Sequence, residues 1–162
     1  MKQPSIRFAQ QLKNLVLRNQ TEFQYILSRH LTTLDKARKD LESRWEKWRK
    51  GEQFCYFLFK EGKLIGLVAI KMHTGRSVGE ISYYLDKEQT GHGYITKTVQ
   101  ELEQLFFEQG GHRCEILCNE KNKRSCAIAE RLNYQLDGVM REYELIDGIY
   151  CGFRVYSKLS SD

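Results

Sequence analysis

The sequence predicts an α/β fold in which helices flank a mixed, mostly antiparallel sheet. Three observations carry that expectation. Apolar residues repeat at helical spacing over roughly the first fifty positions, and aromatic, β-prone runs joined by short turns follow. A glycine-bearing loop then leads into an amphipathic helix, so the strands before and after that helix are expected to run parallel. The last two apolar runs meet at Asp147-Gly148, a strong signal for a hairpin.

Phe8, Leu12, Leu15, Val16 and Phe23 follow helical spacing, so one or two helices are expected between Ser5 and Leu27. Leu34, Ala37, Leu41, Trp45 and Trp48 mark the next helix. Thr32 and Asp35 resemble its capping box, and Gly51 its stop. Gln53 to Lys60, Leu64 to Met72 and Gly79 to Leu85 read as an antiparallel meander, turning at Glu61-Gly62 and in a loop around Gly75. Asp86 to Gly93 is a polar loop. Ile95, Val99, Leu102 and Phe106 then form the apolar stripe of a helix closed by Gly110-Gly111. A strand at Arg113 to Cys118, a short helix at Ser125 to Leu132, and strands at Tyr134 to Leu145 and Ile149 to Leu159 complete the chain.

With 162 residues, one Pro and no internal repeat, the expected organisation is a single domain over 1–162. Lys and Arg number 26 against 21 Asp and Glu, a net charge of +5. That excess is compatible with an anionic cofactor or a nucleic-acid surface, and it is spread along the chain and not gathered in the tail or stripe that would put nucleic acid first. No apolar run reaches the roughly 18 residues of a membrane span, and no secretory block opens the chain. Five cysteines without a signal segment read as reduced thiols of a cytoplasmic protein. Cys114 and Cys118 lie on one strand about 13 Å apart, too far for a disulfide. Their spacing suits no zinc site, and no metal is expected.

The segment with the most chemistry is Glu80 to Phe106, which reads strand, glycine loop, helix. Gly91 and Gly93 let the backbone approach a ligand closely. The exposed amides of 91–95 and the positive helix end then favour an anion such as a pyrophosphate. A dinucleotide fingerprint would need glycine where Thr96 stands, and a P-loop would need Gly-Lys-Ser/Thr. A plain strand–helix turn is the alternative reading.

The order of elements, EISYYLDKEQTGHGYITK and NEKNKRSCAIAERLNYQLDG resemble a GNAT-superfamily N-acetyltransferase, most of all the RimL/RimJ-type ribosomal-protein N-terminal acetyltransferases. The resemblance implies a three-layer fold with a splayed central parallel strand pair. It implies acetyl-CoA as cosubstrate, its pyrophosphate held around Gln89, Thr90, Gly91, His92, Gly93, Tyr94 and Ile95. The strand end at Tyr84 and Leu85 would admit the pantetheine arm. Glu88 stands where the family has Gln or Arg and is expected to point away from a diphosphate. Asn122 and Ser125 are implied to contact the cofactor, with Ser125 giving a proton to the departing thiolate; the bland alternative for Ser125 is a helix N-cap. Glu144 is implied as the general base, with Glu142 on the same strand face and Glu80 as alternatives.

The expected reaction is direct attack of a primary amine on the thioester in a ternary complex. The acceptor is expected to be a protein or peptide α-amine. The alternatives are a small-molecule amine, or a non-catalytic CoA-binding module on the same fold. The family opens with a strand, whereas here only Ile6 to Phe8 suits one. An uncovered sheet edge there invites pairing with a second chain, so a homodimer is expected.

Overall fold

The computed structural model describes residues 2–25, 27–73 and 77–162. Its helices are α1 (Ala9–Arg18), α2 (Leu34–Arg49), α3 (Tyr94–Glu108) and α4 (Lys123–Arg131). Its strands are β1 (Gln53–Lys60), β2 (Lys63–Met72), β3 (Val78–Leu85), β4 (Arg113–Asn119), β5 (Gln135–Ile146) and β6 (Ile149–Leu159). Short 3-10 turns occupy Ile6–Phe8, Leu27–His30 and Lys87–Gln89. The expected turn at Gly75 lies outside the described residues. The strands are ordered β1-β2-β3-β4-β6-β5. The pairs β1–β2, β4–β6 and β5–β6 are antiparallel, and β3–β4 is parallel. This is the mixed, mostly antiparallel sheet the sequence predicts. The chain packs into two compact units, Met1–Lys71 with Tyr83–Tyr94, and Met72–Ser82 with Ile95–Asp162.

In the first unit, Leu12, Leu15 and Val16 of α1 recur on one helical face and are fully buried. Ala37 and Leu41 of α2 join them against Phe57, Leu64, Leu67 and Ala69 of β1 and β2. The cap of α2 is Thr33, whose hydroxyl accepts from the Lys36 amide at 3.2 Å, and not Thr32 as the capping-box spacing suggests. Arg44 ties α2 to its surroundings. Its guanidinium lies 2.6 Å from Asp40 and also reaches Ser28 and the Cys55 sulfur. The segment Ile6–Phe8 is a 3-10 turn and not the short strand its sequence suits. Instead Lys2 forms an antiparallel bridge to Phe57, exchanging backbone bonds of 3.0 and 2.8 Å. At Phe57 the β1 edge is therefore paired by the chain itself.

In the second unit, Val99, Leu102 and Phe106 of α3 are buried. So is Glu103, whose carboxylate accepts from Lys158 at 2.7 Å and from the Tyr134 hydroxyl at 2.9 Å. A buried charge needs such partners to be tolerated. The β5–β6 hairpin turns at Asp147-Gly148, both with positive φ. Between Met140 and Glu144 strand β5 carries a bulge, and Glu142 there has φ 50°.

One glycine sets how closely β2 approaches the end of β3. A Cβ on Gly66 would lie 2.6 Å from the Tyr84 carbonyl oxygen and 2.9 Å from the Leu85 side chain. Backbone cannot yield cheaply, so Gly66→Ala is expected to cost about 1–3 kcal/mol. At about 2–4 °C per kcal/mol for a chain of this size, thermal unfolding should fall by roughly 5 °C, measurable by calorimetry. An unchanged midpoint would show that the β2–β3 spacing relaxes freely.

Candidate active site

The glycine loop belongs to the first unit, and its entry is built on a buried carboxylate. Asp86 is almost fully buried at the end of β3. It accepts from Arg18 Nε at 2.6 Å and from Asn19 Nδ2 at 3.2 Å, both at the end of α1. Asn19 Oδ1 in turn accepts from the Lys87 amide at 2.9 Å, and Arg18 also holds the Leu64 carbonyl at 2.8 Å. Burial works to raise the Asp86 pKa. The hydrogen bonds from Arg18 and Asn19, and the Arg18 charge, outweigh it and hold the carboxyl below its ordinary value.

The loop then turns through Gly91 (φ 82°) and Gly93 (φ 74°). That left-handed conformation disfavours any side chain. An added Cβ would meet nothing within 4 Å at either glycine, so the approach to their backbone is open. Thr90 Oγ1 donates to the Lys87 carbonyl at 2.9 Å. His92 Nδ1 faces the carbonyls of Gln89 and Thr90 at 3.3 and 3.0 Å. Carbonyls only accept, so Nδ1 carries a proton there and spends it on the loop's own backbone. The ring stacks on Tyr94, centroids 5.6 Å apart. His92 therefore braces the loop. Gln89 accepts from Lys60 Nζ at 3.1 Å, and Glu88, which is exposed, has Lys63 at 4.0 Å.

Tyr84 and Leu85 enter the site through their backbone. The Tyr84 ring is buried against Phe23, centroids 5.1 Å apart, and belongs to the core. Its carbonyl is turned toward Gly66 of β2, and the Asp86 amide donates to Ile65 of β2 at 2.7 Å. Backbone groups alternate along a strand, so those of Leu85 point to the opposite edge.

In the second unit, the parallel ladder of β3 and β4 has only three pairs, Val78↔Arg113, Gly79↔Cys114 and Glu80↔Glu115. Ile81 and Ser82 have no register partner on β4, although both strands run on. After β4 the chain reaches α4. Its cap is Asn122, whose side chain accepts from the Ser125 amide at 3.2 Å. The N-cap alternative for Ser125 is thereby corrected: Ser125 lies three residues inside, and its hydroxyl sits 3.2 Å from Cys118 Sγ. Lys121, Lys123 and Arg124 are exposed around this turn.

The three candidate bases differ in setting. Glu144 is half-buried on β5 opposite Cys151 of β6. Glu142 is exposed at the bulge, where the alternation that would align it with Glu144 is broken. Glu80 ends the parallel ladder, with His73 Nε2 at 3.5 Å. Cys118 faces Arg154 across the sheet, whereas Glu144 faces Cys151. These two β6 residues are three apart and lie on opposite faces. Glu144 and the Cys118–Ser125 pair thus approach from opposite sides of the sheet.

Three contributors escape a reading of the sequence. Asp86 is 68 residues from Arg18, and no local pattern joins them. Lys60 is a strand-end lysine with no distinguishing neighbours. Cys118 reads as one buried thiol among five, and all five are buried and free.

The family described as Acetyltransferase (GNAT) domain matches residues 7–135. The ribosomal-protein-serine acetyltransferase of Escherichia coli (strain K12) is 25% identical over 152 residues, 91% of this chain and 85% of that protein. Among solved structures, RimL, the ribosomal L7/L12 alpha-N-protein acetyltransferase in complex with coenzyme A, has a TM-score of 0.92 at 23% identity. It covers 99% of this chain and 94% of its own. The microcin C7 self immunity acetyltransferase MccE, in complex with acetyl-CoA and AMP, has a TM-score of 0.91 at 23% identity, with coverages of 96% and 89%.

Two outcomes follow from this geometry. Removing the cap by Asn122→Ala is expected to cost about 1 kcal/mol of stability, and Ser125→Ala much less, both by thermal melting. A depressed Asp86 pKa contributes stability that is complete above the unfolded value near 3.9 and is lost as pH falls through the lower folded value. Asp86→Asn should therefore melt lower than wild type at pH 7, with the difference shrinking below about pH 4. A constant difference down to pH 2.5 would mean that the Asp86 charge is not what holds the loop.

Proposed function

The chain belongs to the GNAT acetyltransferase family, and on that premise we propose that it transfers the acetyl group of acetyl-CoA to a protein or peptide α-amine. The observation that carries the cofactor half is the loop, where two left-handed glycines leave backbone amides open ahead of a fifteen-residue helix. That is a seat for a diphosphate. Residues 89–95 hold it, with Lys60 supplying positive charge beside Gln89. The amide of Leu85, which points away from β2, holds the thioester carbonyl and its developing negative charge. Acetyl-CoA supplies an activated acetyl thioester; the chain supplies position and protons.

Glu144 takes the proton of the attacking amine, and Ser125 gives one to the departing sulfur. For Ser125, support comes from its place in the first turn of α4, where Asn122 holds its amide and its hydroxyl meets Cys118 Sγ at 3.2 Å. For the acceptor, support comes from chemistry and from the names of the relatives. An α-amine with pKa near 7.8 costs about 1.2 kcal/mol to deprotonate at pH 7, and a lysine about 4.6 kcal/mol. A carboxylate manages the first with modest help. The Escherichia coli relative is a ribosomal-protein-serine acetyltransferase, and RimL is an alpha-N-protein acetyltransferase. Five free, buried thiols suit a reducing compartment, and we place the protein in the cytoplasm.

The test is thiol release from acetyl-CoA with a peptide bearing a free α-amine, the same peptide N-terminally blocked, and a panel of small amines. Release with the free peptide alone is expected. Release with a small amine alone would move the acceptor class, and no release with any amine would leave a CoA-binding module. Glu144→Gln should lower turnover by about a hundredfold with acetyl-CoA affinity unchanged by calorimetric titration. Turnover equal to wild type across pH 6–9 would remove Glu144 from the base role.

A further inference from the structure

We propose that Asn119 reads the acceptor, its side-chain amide donating to the first backbone carbonyl of the peptide whose α-amine meets Glu144. The inference rests on the readings of Glu144 as the base and of the acceptor as a peptide, and it names the group that recognises that acceptor. Asn119 ends β4 and is 3% exposed. Its Oδ1 is used locally, accepting from the Lys121 amide at 2.9 Å. Its Nδ2 has no hydrogen-bond partner among the described residues. A buried donor left unpaired is costly, so such a group calls for a ligand. The register shows which side of the sheet it serves. Asn119 stands opposite Phe153 of β6, and Glu144 opposite Cys151. Those two β6 residues are two apart and share a face. Asn119 and Glu144 therefore stand on one face, with Phe153 and Cys151 between them and the Tyr143 ring packed on Phe153, centroids 5.4 Å apart. Two strand spacings and two residues put their Cα atoms about 12 Å apart, which leaves room for one residue from amine to carbonyl.

The chemistry of the donor selects what it holds. An attacking amine must keep its lone pair for the thioester, so a donor placed on it would oppose the reaction. A carbonyl has no such task and only accepts. In a peptide the α-amine is followed by a carbonyl one residue along, whereas a plain alkyl amine offers none. Charge on the same face suits the other end of that acceptor. Glu80 lies in register with Glu115, which stands opposite Ser157 of β6, and Ser157 donates to Asp137 at 3.0 Å. Arg113 pairs with both Glu115 and Asp137, and His73 lies 3.5 Å from Glu80. Glu80, Glu115, Asp137 and Glu144 outnumber Arg113, so together these side chains make the face negative. A protonated α-amine is drawn to such a face before it gives up its proton.

The experiment compares steady-state kinetics of wild type, Asn119→Ala and Asn119→Asp, with folding checked by thermal melting. Two acceptors are used: a peptide with a free α-amine, and the same peptide with its first carbonyl replaced by a thiocarbonyl, a poorer acceptor of hydrogen bonds. Asn119→Asp keeps the oxygen that holds the Lys121 amide and loses the donor, so it separates reading from folding. In wild type the thiocarbonyl should lower kcat/KM for the peptide about three- to tenfold. Asn119→Ala should lower kcat/KM for the ordinary peptide by the same factor and Asn119→Asp by at least that, with KM for acetyl-CoA unchanged. Each variant should then handle the two peptides alike. Equal kcat/KM for the two peptides in wild type would overturn the proposal, with no variant needed. So would folded variants that keep wild-type kcat/KM, or variants in which the thiocarbonyl still costs its full factor. If wild type acetylates a small amine and neither peptide, the reading of the acceptor fails and this inference falls with it. If the peptide is acetylated and the Asn119 variants are unimpaired, only the role of Asn119 fails.

Discussion

A buried carboxylate holds the loop on which the site depends. Asp86 is nearly inaccessible, and a charge so placed is tolerable only when its lone pairs are filled. Arg18 and Asn19 fill them, and both come from the last turn of α1. The consequence is positional. Arg18 also clasps the Leu64 carbonyl on β2, and Asn19 also clasps the Lys87 amide. One cluster therefore fixes a helix end, a strand start and the first residue of the loop. Functional loops are mobile unless a rigid scaffold pins their ends. Here the pin is electrostatic, and the glycines beyond it are free to take the left-handed turns that expose their amides.

In the second unit the constraint is a backbone one. A parallel ladder satisfies amides and carbonyls only while it lasts, and this one lasts for three pairs. Beyond Glu80 and Glu115 the strands continue with no shared register, so their edge groups need another partner. A short ladder would be a defect in a structural sheet. Here the three pairs set the direction in which β3 and β4 run on beyond the ladder.

The sequence makes the order of elements legible because that order is written in local signals. Periodicity marks the helices, alternation the strands, and Asp147-Gly148 the hairpin. The glycine loop stands where its residues put it. What stays hidden is non-local. No spacing rule links Asp86 to a residue 68 positions away, or Lys2 to the edge it caps at Phe57. The β5 bulge arises from a mismatch in length between two strands, so Glu142 reads as a same-face neighbour of Glu144 until the register is known. The capping residues mislead for a related reason. Thr32 and Thr33 are equivalent on paper, as are Asn122 and Ser125, and only backbone geometry decides which member caps. The second choice sets Ser125 inside the helix and not at its cap.

The neighbour that Ser125 meets on β4 is a thiol and not a base. A serine that attacks substrate needs a neighbour able to take its proton, as histidine does in hydrolytic triads. The group that meets Ser125 at 3.2 Å is a thiol pushed up to about 12, which has no capacity to accept a proton near neutral pH. The same shift removes Cys118 as a nucleophile, because the thiolate is the reactive form. At this contact Cys118 thus offers neither a base nor a thiolate, the groups an acetyl-enzyme calls on. Direct transfer needs none. It needs a proton taken on one side and a proton given on another, and the register of β6 sets Glu144 and Cys118–Ser125 on opposite faces of the sheet.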